Sequence, residues 1–281
     1  MPLTFTRLSS RDNPRVRLFA SVAKMPRERR KCGQALLDGI HLLGCALDAG
    51  IALLDVCVSE SGCSNPEILA LLARLPADES PICVPDALFA YLSPVDTPTG
   101  ILARIALPLP DLQEGMEQET LVVLDGIQDP GNLGSILRTA AAAGIRLALL
   151  TSGCTQAWSP KALRAGMGAH FRLHIFERID ALTWLAPYQG KVVAAAIGEK
   201  SRMFFEADLR GSVAWLFGAE GQGVSPALLA RADEILCIPI QEGIESLNVG
   251  AAAAICLFEQ MRQCRESDLS GQKIRNRERL G

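Results

Sequence analysis

The length, composition and charge of the chain are those of an ordinary globular protein. Its 281 residues are enough for about two domains, and 49% of them are hydrophobic and 21% charged. The formal net charge of -3 excludes a global field that would attract a polyanion. Any surface for nucleic acid must therefore come from local clusters of basic residues.

The cysteines and the apolar runs argue against a secreted or membrane-bound protein. There are nine cysteines, none in a C-x-x-C pair, and most lie in apolar runs. This pattern predicts buried thiols rather than a disulfide framework or a zinc site. The first residues lack the apolar core of a signal peptide, and no run approaches the roughly 20 apolar residues of a membrane span. We therefore expect a cytoplasmic protein.

The first part of the chain, residues 1–105, is predicted to form a small α/β domain with a basic beginning. Between Arg7 and Lys31 there are nine Lys and Arg residues and two acidic ones. The stretch ALLDGIHLLGCALDAG is typical of a strand end followed by an amphipathic helix. IALLDVCVS then indicates a strand, PEILALLARL a helix and PICVP a short strand.

The second part of the chain alternates strands with helices. Residues 106–118, within ALPLPDLQEGMEQET, have the composition of a linker. After it, apolar runs such as LVVLD, RLALLT, VAWLFG and EILCIPI alternate with helical stretches, which predicts a mostly parallel sheet with helices on both faces. Ligands of such sheets bind at the carboxyl ends of strands, so the loops after LVVLD, VAWLFG and EILCIPI are the predicted site. Residues 266–281 are predicted to be a basic, disordered tail.

Each of these three loops carries polar side chains among glycines or small residues. The first, DGIQDPGNLGSILRTAAAAG, places Asn132 between glycines and Arg138 about one turn into a helix, whose free N–H groups suit an anion. The second, LFGAEGQGVSPALLARAD, surrounds Glu220 with glycines that permit close backbone approach to a ligand. The third, QEGIESLNVGAAAAICLFE, sets Ser246 and Asn248 before a helix of alanines.

A simpler explanation exists for each loop on its own. The first fits a glycine turn with an Asn or Ser cap, and the second a solvated glutamate. In the third, Ser246 could cap the last helix, with Asn248 in its first turn. No P-loop, nucleophile elbow or G-x-G-x-x-G fingerprint is present, which disfavours an ordinary dinucleotide site. His170 and His174 lie four apart but belong to no plausible metal cluster, so no metal is predicted.

Taken together, the three loops resemble the three motifs of the SpoU (TrmH) family of RNA ribose methyltransferases, within the SPOUT superfamily. The motifs stand here as DPGNLGSILRTAAAAG, LFGAEGQGVS and IPIQEGIESLNVGAAAAICLFE, and the resemblance covers about residues 119–262. More loosely, NPRVRLFASVA and ALLDGIHLL resemble the RNA-binding domain that precedes the catalytic domain in many members. That domain has a fold similar to a ribosomal protein.

The resemblance implies a fold, a cofactor and a reaction. Residues 119–265 would form an α/β domain with a parallel sheet, helices on both faces and a deep trefoil knot, an exception to the rule against knotted chains. Two copies would pair through the knot as a homodimer, and the product would be a 2′-O-methylated ribose in RNA. S-adenosylmethionine would lie bent in the knot, held by Phe217, Gly218, Glu220, Gly221, Ile238, Ile240 and Leu247.

Matched by position, the catalytic residues of the family are Asn132, Arg138, Glu220, Ser246 and Asn248. A ribose 2′-hydroxyl is a very weak acid, so it needs proton removal and in-line placement. The family proposal makes Arg138 the general base, but a guanidinium has a pKa above about 12. Arg138 could instead bind the adjacent phosphate or stabilise the alkoxide, while Glu220 or a phosphate oxygen takes the proton. Asn132, Ser246 and Asn248 would orient these groups.

The basic residues of the first domain would supply affinity for RNA through phosphate contacts. A solvated helix face is the alternative explanation of this cluster. The residues expected to contact RNA are Arg15, Arg17, Lys24, Arg29, Arg30 and Lys31.

The resulting prediction is a cytoplasmic, dimeric RNA 2′-O-ribose methyltransferase that uses S-adenosylmethionine and no metal. The N-terminal domain favours ribosomal RNA by analogy, and the first alternative is the same chemistry on transfer RNA. The second alternative is a non-catalytic RNA-binding or ribosome-assembly protein, against which the five intact polar residues argue. The third is a small-molecule enzyme on a doubly wound sheet, which the basic segment disfavours.

Overall fold

The computed structural model describes residues 4–76, 80–110, 114–198 and 200–278, with side chains described as far as residue 267. The described chain divides into two compact units. Unit 1 combines residues 1–109 with residues 156–172, and unit 2 combines residues 110–155 with residues 173–281. Residues 111–113 of the predicted linker lie outside the described residues.

Twelve strands lie within the described residues. Those of unit 1 are β1 (Thr6–Arg7), β2 (Gln34–Asp38), β3 (Leu53–Ser59), β4 (Ile82–Val84) and β5 (Ile101–Ala106). Those of unit 2 are β6 (Leu121–Asp125), β7 (Leu147–Thr151), β8 (His174–Ile179), β9 (Lys191–Ala195), β10 (Arg202–Met203), β11 (Val213–Gly218) and β12 (Glu234–Cys237).

The α-helices of the described chain often begin at a proline. This residue suits the first helical position because its φ is already helical and its missing N–H has no partner there. In chain order the helices are α1 (Pro14–Lys24), α2 (Pro26–Cys32), α3 (Ile40–Asp48), α4 (Pro66–Leu72), α5 (Asp86–Leu92), α6 (Pro130–Ala142), α7 (Pro160–Gly166), α8 (Ala181–Leu185), α9 (Pro226–Arg231) and α10 (Val249–Glu278).

Unit 1 contains a mixed five-stranded sheet with the order β1-β4-β3-β5-β2. Strand β5 runs antiparallel to β2 and β3, whereas β4 pairs in parallel with β1 and β3. Apolar residues of α1 and α5, including Phe19 and Phe89, are buried together with residues of the sheet. The prediction of a small α/β domain at the start of the chain is confirmed.

Unit 2 contains a seven-stranded sheet with the order β10-β12-β9-β11-β6-β7-β8, and each of its strand pairs is parallel. The predicted parallel sheet is therefore confirmed, while the knot stays a prediction from the family resemblance. Strands β6 and β11 are neighbours, with Asp125 in register with Gly218. Because both residues end their strands, the first and second loops start side by side.

Helix α10 is fixed to the sheet of unit 2 by a buried amide. Gln260 accepts a hydrogen bond from the Trp215 indole N–H at 2.7 Å and donates one to the Gly211 carbonyl at 3.0 Å. Ala253 and Cys256 on the same helix are fully buried. The helix continues to Glu278, so residues 266–278 are helical rather than the disordered tail that the composition predicted.

By their contacts, residues 156–172 group with unit 1, although they lie inside the predicted methyltransferase domain, residues 119–265. Gln156 explains part of this association, because its amide donates to the Pro26 carbonyl and accepts from Arg29, both at 3.0 Å. Chain order alone offers no signal for such an exchange.

Among the described helices, none is long and apolar enough to cross a lipid bilayer.

Candidate active site

The first loop of the predicted site ends in a capped helix. The Asp129 carboxylate accepts a hydrogen bond from the Asn132 backbone N–H at 2.9 Å, so Asp129 is the cap of α6. The predicted turn is therefore capped by the residue before Pro130, and not by an Asn or Ser. As a result the Asn132 side chain is not used as a cap and points to the other two loops.

A chain of hydrogen bonds joins all three loops. The Asn132 side-chain amide donates to Glu220 of the second loop. The Asn248 amide of the third loop donates to the Asn132 side-chain oxygen at 3.0 Å. The Asn248 oxygen accepts from the backbone of Gly250 at 2.9 Å and of Ala251 at 3.3 Å. Asn248, and not Ser246, therefore caps α10 while it also holds the network together.

A cavity of about 370 Å³ lies beside this network in unit 2. Its volume is within the range of small-molecule sites, about 300–1,000 Å³. Ser246 lines it together with alanines of β9 and α10. All seven residues predicted to hold a cofactor also line it, namely Phe217, Gly218, Glu220, Gly221, Ile238, Ile240 and Leu247.

The second loop forms one wall of this cavity because its backbone reverses tightly. A Cβ atom on Gly218 would overlap the backbone of Gly223, so no other residue fits there. Gly223 itself has a φ of +67° and donates its N–H to the Ala219 carbonyl at 2.7 Å. The result is a closed loop with Glu220 exposed at its tip.

Arg138 and Ser246 lie outside the hydrogen-bond chain. Arg138 is exposed on α6, six residues or roughly 9 Å along the helix axis from Asn132. Within the part of the chain that the structure describes, neither Arg138 nor the Ser246 side chain has a hydrogen-bond or ion-pair partner. The structure thus brings Asn132, Glu220 and Asn248 into contact and leaves Arg138 available for an anionic ligand.

Two of the residues predicted to contact RNA make contacts within the protein. Arg29 is only 5% exposed, and its guanidinium donates to the carbonyls of Val22 and Ala23, so it cannot meet RNA and is removed from the predicted set. Arg15 forms a two-point ion pair with the buried Asp55, at 2.6 and 3.1 Å. The four remaining residues, Arg17, Lys24, Arg30 and Lys31, are exposed.

The structure adds an aromatic residue to this basic surface. The Lys24 ammonium lies 3.5 Å from the centre of the Tyr91 ring, and the Arg11 guanidinium lies 4.4 Å from it. Such cation–π contacts hold both charges in place. Tyr91 lies 67 residues beyond Lys24, so the sequence contains no local signal for this contact.

His170 is a core residue and not part of a metal site. Its Nε2 lies 2.8 Å from the Ala157 carbonyl, to which it donates as the neutral ring. Burial lowers the pKa of His170 to about 4, because the charged form is poorly solvated there. Among the described residues, no group of three or more His, Cys, Asp or Glu side chains is arranged to hold a metal ion.

Known proteins share these features over nearly the whole chain. Residues 119–258 match the SpoU rRNA Methylase family, and residues 13–103 match an MRM3-like substrate binding domain. An uncharacterized tRNA/rRNA methyltransferase of Synechocystis sp. is 31% identical, over 93% of this chain and 96% of its own length. The chain belongs to the SpoU methylase family. The recognition made from the three motifs is thereby confirmed.

Two further SpoU relatives have functional names. The 23S rRNA (guanosine(2553)-2′-O)-methyltransferase of Bacillus subtilis is 30% identical, over 83% of this chain and 90% of its own length. The human mitochondrial rRNA methyltransferase 3 is 32% identical, over 84% of this chain and 69% of its own length.

Solved structures of SpoU-type enzymes have the same fold. A crystal structure of an RNA 2′-O ribose methyltransferase is 32% identical, with a TM-score of 0.77, and covers 92% of this chain and 99% of that one. An AdoMet-bound rRNA methyltransferase from Sinorhizobium meliloti is 28% identical, with a TM-score of 0.79, and covers 92% of this chain and 98% of that one. AdoMet is S-adenosylmethionine.

The residues around the 370 Å³ cavity suit S-adenosylmethionine. Ile238, Ile240 and Leu247 present apolar surface on which an adenine ring can pack. The tight reversal at Gly218 turns the backbone of the second loop toward the cavity, where peptide groups can bind the polar parts of the ligand. Glu220 also lines the cavity, where its carboxylate would offer negative charge to a positively charged ligand.

The close approach at Gly218 leads to a testable prediction. In Gly218→Ala the new methyl group would overlap Gly223 and displace the loop, so we expect affinity for S-adenosylmethionine to fall about tenfold or more. Titration calorimetry measures this loss. Gly198→Ala is the matched control, since a Cβ there has no neighbour within 4 Å, and its affinity should equal that of the wild type. If both variants bind S-adenosylmethionine with equal affinity, the second loop does not form a wall of the cofactor cavity.

Proposed function

We propose that this SpoU protein transfers the methyl group of S-adenosylmethionine to a ribose 2′-hydroxyl of ribosomal RNA. The observation that carries the proposal is the position of Glu220, which lines the cavity and also ends the hydrogen-bond chain from Asn248 through Asn132. A polar group suited to an acceptor hydroxyl thus borders a cavity suited to the methyl donor. The names of the relatives from Bacillus subtilis and Sinorhizobium meliloti support ribosomal RNA as the substrate.

Glu220 is the better candidate for removing the proton. S-adenosylmethionine, when bound, supplies a methyl carbon that is already activated by the sulfonium charge. Asn132 orients one carboxylate oxygen of Glu220, and the other has no hydrogen-bond partner among the described residues. The Arg138 guanidinium offers N–H donors and no acceptor for a proton. It therefore binds the adjacent phosphate or stabilises the developing alkoxide.

The role of Arg138 predicts a loss of turnover without a loss of binding. Arg138→Ala should lower methyl transfer about a hundredfold or more, the usual effect of removing one donor to a developing oxyanion. Arg138→Lys should also be poor, because an ammonium cannot replace the planar fork of a guanidinium. The measurement is transfer of labelled methyl groups to ribosomal RNA from cells that lack the protein, followed by mapping of 2′-O-methyl sites.

Arg146→Ala is the matched control for Arg138, since Arg146 is an exposed arginine in the same unit, just beyond α6. It should keep wild-type turnover. If Arg138→Ala also keeps it, the central role of that arginine is wrong. If the wild-type protein methylates transfer RNA but not ribosomal RNA, the proposed substrate is wrong and transfer RNA takes its place.

The exposed basic residues of unit 1 are proposed to bind RNA through its phosphates. Lys24, Arg30 and Lys31 lie on α1 and α2, and no described carboxylate pairs with them. Tyr91 beneath Lys24 adds a ring face to the surface. Basic side chains that have no carboxylate partner within the protein can neutralise RNA phosphates, and this releases the counterions bound to the RNA.

Replacing these three residues by alanine should weaken RNA binding and reduce its dependence on salt. Each lost phosphate contact lowers the slope of log K against log salt by about 0.7–0.9, so the triple variant should lose about two units. Filter binding over a salt series measures this. Arg74, Arg202 and Arg210 are each paired with a carboxylate at 2.6–2.9 Å, and their triple alanine variant is the charge-matched control. If both variants show the same slope of log K against log salt, the basic cluster is a solvated helix face that does not contact RNA.

We propose that the protein is a homodimer that pairs through α10. The alanines of this helix are unsuitable as probes of pairing, because Ala253 is fully buried within its own chain and Ala252 lines the cavity. Phe258 is the large apolar residue that α10 exposes among its described side chains, with 42% of its surface accessible. Burial of such a ring against a second copy would stabilise the dimer.

Phe258→Glu should therefore shift the protein toward monomer, because a carboxylate would be desolvated at the interface. Sedimentation velocity measures the change. Phe205→Glu is the control, since Phe205 is 58% exposed elsewhere in unit 2. A wild-type protein that sediments as a monomer, or a dimer that is unaffected by Phe258→Glu, would contradict pairing through this helix.

A cytoplasmic location is proposed on the state of the cysteines. All nine are free thiols, and the burial of Cys57 and Cys256 raises the pKa of both above the ordinary range. Free thiols are the rule in reducing compartments. Cell fractionation tests the location directly.

A further inference from the structure

A second cavity adjoins the loop that carries Glu220. It has a volume of about 430 Å³ and is formed within unit 2. Residues 219–223 line both this cavity and the 370 Å³ cavity assigned to the cofactor. The two cavities therefore adjoin along one short loop, which is closed by the hydrogen bond from Gly223 to Ala219.

Methyl transfer requires such an arrangement. The acceptor oxygen has to approach the methyl carbon in line, at roughly 3–3.5 Å, so the space for the acceptor must border the space for the donor. The second cavity meets this condition through the shared loop. Glu220, the proposed proton acceptor, belongs to the walls of both.

We propose that the second cavity binds the base of the target nucleotide and that Gln128 and Gln222 determine which base is accepted. The inference rests on the proposed function, since it names the part of the RNA that this site receives. Both glutamines are exposed in the cavity wall, and their side chains have no hydrogen-bond partner among the described residues. Each carboxamide offers an acceptor oxygen and two N–H donors, the groups that read the edge of an unstacked base.

The charge of the cavity selects a base over a phosphate. Its described lining contains two carboxylates, Asp125 and Glu220, and no Lys or Arg. A phosphate would be repelled there, whereas the N–H groups of a base and the hydroxyls of a ribose can donate to carboxylate and carboxamide oxygens. The phosphates of the same nucleotide would lie outside, where an exposed arginine such as Arg138 can meet them.

The floor of the cavity is rigid, which base discrimination requires. Asp125 accepts from the Ser225 N–H at 2.8 Å and from the Thr151 hydroxyl at 3.1 Å. Thr151 also accepts from the Gly126 N–H at 3.1 Å. A Cβ atom on Gly153 would lie 3.2 Å from the Gly126 Cα, so the two turns are in close contact. The glutamines thus project from a fixed frame.

Gln128 is the sharper probe because it lines only the second cavity, whereas Gln222 lines both. The substrates are a short RNA that contains the mapped methylation site and three RNAs with the other bases at that position. For Gln128→Ala we expect kcat/KM on the cognate RNA to fall about tenfold or more, and the preference for the cognate base to fall with it. Affinity for S-adenosylmethionine should stay within about twofold of the wild type.

Gln128→Glu keeps an acceptor but loses the N–H donors, so it should change the order of preference among the four RNAs. Gln189→Ala is the control, since Gln189 is an exposed glutamine of unit 2 that lines neither cavity, and it should behave as the wild type. Wild-type rates and an unchanged base preference in the Gln128 variants would overturn the base subsite alone. Absence of 2′-O-methyl transfer by the wild type on any RNA would overturn the proposed function, and the subsite with it.

Discussion

The reversal of the backbone at Gly218 is the constraint on which the site depends. Strand β11 ends there, in register with the end of β6, and the chain turns back so closely that a side chain at this position would overlap Gly223. This turn places Glu220 at the tip of a closed loop. The same loop, residues 219–223, lines both cavities of the site. Donor and acceptor would therefore meet beside Glu220, where the two cavities adjoin.

Asn248 links the geometry of the site to the start of a helix. Its oxygen caps α10 while its N–H group holds Asn132, which in turn holds Glu220. Farther along the same helix, Gln260 is fixed by the Trp215 indole. Helix and network therefore stabilise one another, because neither the cap nor the amide chain can form unless α10 lies in place. Asn248 is exposed, yet its side chain makes three hydrogen bonds.

Periodicity and turn residues were sufficient to predict the parallel sheet and the three loops at its edge, because these signals are local. Contacts between distant residues were not predictable. The basic segment gave no indication that Arg29 turns inward to the carbonyls of Val22 and Ala23, or that Lys24 lies over Tyr91. The cap of α10 was misplaced at Ser246 as the simpler explanation, since Ser and Asn are equally good caps and only the backbone direction decides between them.

The exchange of residues 156–172 between the units has a consequence for synthesis of the protein. The first unit is incomplete until Arg172 has left the ribosome, although 109 of its residues are made before the second unit begins. The second unit waits longer still, because α10 comes last and carries both Asn248 and Gln260. The usual order, in which an N-terminal domain folds first and alone during translation, therefore does not apply in full.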